Sequence, residues 1–213
     1  FLPVFIKDGD DAKISIQSSN FKPVWTVINA LKSHDDDLSV ELDKLRTKLG
    51  RNHGLSQIKG ITKVIVDLPR TVDESFAESL KTILIEKTTE SWNFWLGLLE
   101  NFAVKQGHAR VYYRHKTEEG FFLGSWVSTQ RKKKDSLGQE KIGRLNDLGF
   151  DWDPLETNWE EGYSYLKKYF EANGHSRVNY GHKTEDGFFL GTWVTTQRKK
   201  KKDSLDQEKI GRL

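Results

Sequence analysis

Apolar residues recur along this chain at helical spacing, and they do so twice in the same order. Trp92, Leu96, Leu99 and Ala103 fall at i, i+4, i+7 and i+11, with Trp95 and Phe102 widening the stripe. This pattern predicts an amphipathic helix. Trp159, Tyr163, Leu166 and Phe170 predict its second copy. Gly107 and Gly174 stand where a helix end favours a left-handed residue. Leu123, Trp126 and Val127 then mark a second helix. A third is expected from Ser136, because Gln139 three residues on completes a capping box, and Ser204 with Gln207 repeats it. Ile142, Leu145 and Leu148 form its inner face. Gly149 suits the position just past the helix, with Phe150 folding back on Leu145 as in a Schellman ending.

The first ninety residues carry a different pattern. Phe1–Ile6 and Ile61–Val66 read as strands. Val24, Val27, Ile28 and Leu31 mark a helix, and Leu38, Leu42, Leu45 and Leu49 another. The cluster His34, Asp35, Asp36 and Asp37 reads as the start of that second helix, where acidic residues complement the macrodipole. Thr71 and Glu74 form a further capping box ahead of Phe76, Leu80, Ile83 and Leu84. The expected fold is mainly α: a small α/β N-terminal segment followed by two tandem three-helix bundles, the second truncated. The expected divisions are 1–90, 91–153 and 154–213.

The duplication is direct. Between Gly107 and Lys134, 22 of 28 positions are identical to those 67 residues later. The second copy stops at Leu213, which aligns with Leu145. There is no Met, and the first residue is Phe, so a piece of a longer protein is expected.

Composition narrows the chemistry. With no Cys, disulfide scaffolds, Cys-based zinc sites and thiol catalysis are excluded. A mean hydropathy of −0.67 and the lack of an apolar run of about 18 residues give no membrane span, and a cytoplasmic location is the default expectation. Net charge is +3, concentrated in the repeats: residues 1–90 sum to −1 and 91–213 to +4. No glycine-rich phosphate loop and no Ser-His-Asp constellation occur. His108 and His175 lack further ligands and read as local hydrogen-bonding groups, and pairs such as Glu160-Glu161 as exposed helix surface. The chain is therefore expected not to be an enzyme, to bind no metal and to carry no cofactor.

The repeated unit Gly-His-x-Arg-Val, then Gly-Phe-Phe-Leu-Gly-x-Trp-Val-x-x-Gln-Arg, then Leu-Gly-Phe-Asp-Trp in the first copy, resembles the helicase-associated domain. That small, mainly helical module occurs, often in tandem, behind bacterial superfamily-two helicase motors. The resemblance covers Trp92 to Leu213. Phe21 through Leu31, followed by His34 and Asp35, more loosely resemble the stretch linking the last motor motif to the first module. The resemblance implies a parent protein that hydrolyses ATP and remodels DNA or RNA, with ATP and Mg²⁺ held by motor domains of the same polypeptide rather than by this chain.

Apart from any resemblance, the second helix suggests where nucleic acid would sit. Leu123, Trp126, Val127 and Gln130 share one face, leaving Ser125, Ser128, Thr129 and Lys132 on the other. The run Arg131, Lys132, Lys133 and Lys134 closes this helix; Arg198, Lys199, Lys200, Lys201 and Lys202 close its copy, behind Thr195 and Thr196. Small hydroxyls beside cations suit close approach to a phosphate backbone, and Arg110 and Arg177 are further candidates. The competing explanation is structural, since cations at a helix C-terminus gain about 0.3–1 kcal/mol each from the macrodipole. Tyr112, Tyr113 and Tyr180, between the first and second helices, are candidate base-stacking groups. Trp126, Trp193, Trp92, Trp152 and Trp159 read as core or inter-module residues. The alternative function is docking of the modules on the motor or on a partner protein.

Overall fold

The computed structural model describes residue 16 and residues 21–52, 74–200 and 207–213. The expected strands at Phe1–Ile6 and Ile61–Val66, and the capping residues Thr71 and Ser204, lie outside these. Among the described residues there is no strand, so the α/β character expected of residues 1–90 has no support there. The α-helices run α1 Lys22–Lys32, α2 Asp36–Arg51, α3 Glu74–Thr88, α4 Ser91–Gln106, α5 Leu123–Lys132, α6 Gln139–Asp147, α7 Pro154–Asn173, α8 Leu190–Lys200 and α9 Gln207–Arg212.

Local chemistry sets several boundaries. The Asp35 carboxylate accepts from the Leu38 N–H at 2.9 Å, so the acidic cluster is the start of α2, as its charge pattern predicts. At the end of α6, Gly149 has φ +67. Its N–H donates to Asn146 and that of Phe150 to Leu145, at 2.8 and 3.1 Å, the two bonds of a Schellman ending. Gly107 and Gly174 close α4 and α7, both at φ +74. The third helix does not begin at Ser136. Lys134–Ser136 form a 3₁₀ turn, and the Ser136 hydroxyl donates to the Lys133 carbonyl at 2.9 Å. With its hydroxyl spent on a carbonyl at the end of α5, Ser136 caps nothing, and α6 starts behind Gly138 without a side-chain cap.

The inner face of α1 is rotated from the expected one. Val27 and Leu31 are exposed, whereas Val24, Trp25 and Ile28 pack inward. The face continues through Lys32, which donates to the Thr88 carbonyl at 3.0 Å and to Asp43 at 3.2 Å. A lysine thus occupies the inner position that the pattern gave to Leu31. Ile28, Leu38, Leu42, Leu49, Leu84 and Ile85 form one core across α1, α2 and α3, with Phe94 of α4 against it.

Helices α2 and α4 cross closely. A Cβ on Gly50 would lie 1.9 Å from the Phe94 carbonyl oxygen, and one on Gly97 would lie 2.0 Å from that of Thr47. Arg144 of α6 ties the crossing together, donating to Asn93 at 2.8 Å and to Thr47 at 3.2 Å. The chain forms two compact units, one ending at Phe150 and the other running from Asp151 to Leu213. The first unit holds α1 to α6, and so all three helices of the first repeat; the second holds α7 to α9.

Candidate nucleic-acid interface

Each repeat is organised around a tryptophan of its first helix. Trp92 is buried, and its indole N–H donates to the Gln130 side chain at 3.0 Å. Trp126 lies 6.1 Å from Trp92 and stacks on Trp95 at 6.2 Å. Lys141 and Arg144 stand over Trp92 at 5.4 and 5.3 Å, and Lys141 also pairs with Glu90. In the second unit Trp159 and Trp193 are 6.2 Å apart. Gly162 stands where the first repeat has Trp95, and a Cβ there would meet the Trp193 ring at 2.1 Å. Lys209 and Arg212 lie over Trp159 at 5.2 and 4.5 Å. Lys209 pairs with Glu156, and Arg212 grips Glu160 with two hydrogen bonds of 2.6 and 2.7 Å. These bonds hold the Glu160 carboxyl below its usual range and raise Arg212 above its own. The third-helix cations Lys141, Arg144, Lys209 and Arg212 thus all have partners within their own units.

The basic ends of α5 and α8 divide. Arg131 is half-buried, its guanidinium 5.5 Å from the Phe150 ring centre. Arg198 donates to the Ser176 carbonyl at 2.8 Å. Both arginines therefore have internal partners. Lys132, Lys133, Lys199 and Lys200 are exposed and, among the described residues, form no ion pair. Lys134 is exposed in the 3₁₀ turn; Lys201 and Lys202 lie outside the described residues.

The hydroxyls are engaged too. Thr129 donates to Ser125 at 3.0 Å, Thr195 to Gly191 at 2.8 Å and Thr196 to Thr192 at 2.8 Å, each to a carbonyl one turn back. A hydroxyl has one hydrogen to give, so one already donating cannot also donate to phosphate. Ser128 is half-buried. Among the described residues, Lys132, Lys133, Lys199 and Lys200 are left as the donors of this face without an ion pair. Arg110 and Arg177 are exposed, and their backbone N–H groups donate to His108 and His175 at 3.2 and 3.3 Å. The two histidines thus make the local bonds expected of them.

Residues 89–153 and 156–213 match the family model of the helicase associated domain. The chain belongs to this family. No curated protein and no solved structure matches it. The helicase-associated modules hold, among the described residues, no cluster of three His, Asp or Glu able to take a metal, and no helix there is long and apolar enough to cross a membrane.

The segment joining the first two helices of each module places side chains that the sequence pattern did not single out. Phe121 turns inward against Phe94 at 5.1 Å and Trp95 at 6.0 Å, while its neighbour Phe122 is exposed. Phe188 and Phe189 divide in the same way, Phe188 stacking on Tyr165 at 4.9 Å. The signal was the doubled Phe ahead of each second helix, where only one ring of an adjacent pair can face the core.

Proposed function

We propose that this chain is the nucleic-acid-binding accessory region of an ATP-dependent helicase and anchors the motor on DNA or RNA through phosphate contacts. ATP and Mg²⁺ would be handled by motor domains of the same polypeptide, and this chain would catalyse nothing itself. The observation that carries the reading is the contrast between cations. Those of α6 and α9 are bound over tryptophans, whereas Lys132, Lys133, Lys199 and Lys200 stand exposed and, among the described residues, without an ion pair at the same place in both modules. Each lysine that meets a phosphate releases counterions, and binding weakens as salt rises. Tethering two such patches raises their joint affinity above that of either. Val27 and Leu31, exposed one turn apart on α1, favour an additional role in which the N-terminal helices dock on the motor.

The test is fluorescence anisotropy of the whole chain with labelled DNA and RNA over a salt series. Replacing Lys132, Lys133, Lys199 and Lys200 by Gln is expected to flatten the log K against log[salt] slope by about 3, at roughly 0.7–0.9 per lost phosphate contact. An unchanged slope, or no binding by the unaltered chain at low salt, would overturn the proposal.

A further inference from the structure

Five large aromatic side chains stand in solvent at one end of the two second helices. Tyr113 and Tyr180 keep 63% and 66% of their surface exposed, and Phe122 and Phe189 keep 56% each. Tyr112 adds a fifth in the first module, where the second has Asn179. These rings serve no core, since Phe121 and Phe188 fill that role beside them.

The backbone that carries the rings is pinned in the same way in both copies. His115 donates to the Tyr112 carbonyl at 2.9 Å and Gly124 to that of His115 at 3.1 Å; His182 and Gly191 make the same two bonds at the same lengths. The tyrosine segment lies so close to the helix start that a Cβ on Gly124 would come 2.1 Å from the Tyr112 carbonyl oxygen, and one on Gly191 would come 1.9 Å from that of Asn179. Thr117 and Thr184 close a tight turn with their own hydroxyls, accepting from Phe121 and Phe188 at 3.2 and 3.0 Å. The exposed rings are thus presented on a fixed frame, which lowers the ordering cost of binding. A cation completes each frame: Lys116 stands 4.2 Å from the centre of the Phe122 ring, and Lys183 is at the same distance from Phe189.

We propose that each module carries a stacking platform for unpaired bases, built from Tyr113, Phe122 and Lys116 in the first and from Tyr180, Phe189 and Lys183 in the second. The ligand is a single-stranded nucleic acid. This rests on the nucleic-acid reading above and adds the form of the strand. Aromatic faces beside cations bind unpaired bases and neighbouring phosphates together. In a duplex the bases already stack on one another and have no free face to offer. Helix α5 has ten residues, so its lysine end lies about 15 Å from the platform at its start. At 3.4 Å per stacked nucleotide, that span is about four nucleotides. The first module is the stronger of the two, because Tyr112 and Arg114 give way to Asn179 and Gly181 in the second.

The experiment uses the whole chain with labelled dT12, rU12 and a 12-base-pair DNA duplex at fixed salt. The single strands are expected to bind more tightly than the duplex, and comparing dT12 with rU12 names the preferred sugar. The pair Tyr113→Ala and Phe122→Ala is expected to weaken single-strand binding about 5- to 100-fold while leaving the salt slope as it was. Tyr180→Ala with Phe189→Ala should weaken it less. Phe122→Leu keeps apolar bulk but removes the π face, so loss of binding in that variant, with helix content unchanged by circular dichroism, supports stacking rather than misfolding. Duplex binding as tight as single-strand binding, or aromatic variants that bind like the unaltered chain, would overturn the platform while leaving the phosphate anchor standing. Failure of the anchor itself would show as no salt-dependent binding to any of the three probes.

Discussion

Replacing Gly97 by Ala tests whether the N-terminal helices and the first module are one packed body. Intrinsic propensity favours the change, since Ala is better than Gly inside a helix by about 0.8–1 kcal/mol. The structure opposes it. The new methyl would sit 2.0 Å from the Thr47 carbonyl oxygen and 2.8 Å from the Arg51 nitrogen, and both are backbone atoms of α2. Ordinary contact begins near 3.4 Å, so α2 would have to retreat by more than an ångström. A gap of 0.5–1 Å already forfeits a quarter to a half of each dispersion contact along the seam. The hydrogen bond from Asn101 to the Arg51 carbonyl, 2.7 Å, crosses the same seam. Overpacking of this kind costs about 3 kcal/mol at the upper end of its usual range. Set against the propensity gain, the net loss is about 2 kcal/mol, or a fall in Tm of about 4–8 °C for a unit of this size. Gly143→Ala is the control. Gly143 lies inside α6 with nothing within 4 Å of the added Cβ, so only propensity acts, and a gain of about 0.5–1 kcal/mol is expected. Calorimetry on both variants reads the two signs. A Gly97→Ala chain as stable as the unaltered one, or more so, would refute the close crossing and the joint packing that rests on it.

Two further outcomes follow from differences between the modules. Gln130→Leu strips the buried Trp92 N–H of its acceptor and should cost about 1–3 kcal/mol; Gln197→Leu should cost clearly less in urea unfolding, because the Trp159 N–H has no partner among the described residues to lose. Glu160→Gln should lower Tm at pH 7. Glu160 has a depressed folded pKa, so its contribution is complete above the unfolded value near 4.3 and is lost as pH falls through the folded one; the gap between the two melting curves should therefore begin to narrow as pH falls below the unfolded value and vanish below the folded one, and a gap that does not narrow in acid would exclude the ion pair with Arg212 as its source.

What could be read from the sequence was local. The start of α2 needs only Asp35 and the Leu38 N–H three residues away. The end of α6 needs only Gly149 and the carbonyls of Leu145 and Asn146. The three-helix order within each repeat follows from spacing alone. What escaped depends on partners distant in the chain. The inward turn of Trp25 rather than Val27 is decided by where α2 and α3 lie, not by the period of α1. Gly50 and Gly97 are unremarkable helix glycines until each is seen against the other helix's backbone. Ser136 has the right spacing for a cap, yet the Lys133 carbonyl claims its hydroxyl first.

The basic runs show the same limit in a functional setting. Charge and position at a helix end were visible in the sequence, but pairing was not. Arg131 and Lys132 are adjacent, yet one lies over Phe150 and the other stands in solvent. Arg198 and Lys199 are both exposed, but Arg198 donates to the Ser176 carbonyl. Two unlike internal contacts thus engage the same arginine position in the two modules, while Lys132, Lys133, Lys199 and Lys200 are exposed and, among the described residues, form no ion pair. On the function proposed above, the arginine serves the fold, and Lys132, Lys133, Lys199 and Lys200 are the cations that meet a phosphate chain. Replacing an arginine should therefore cost stability first, and replacing a lysine should cost binding alone.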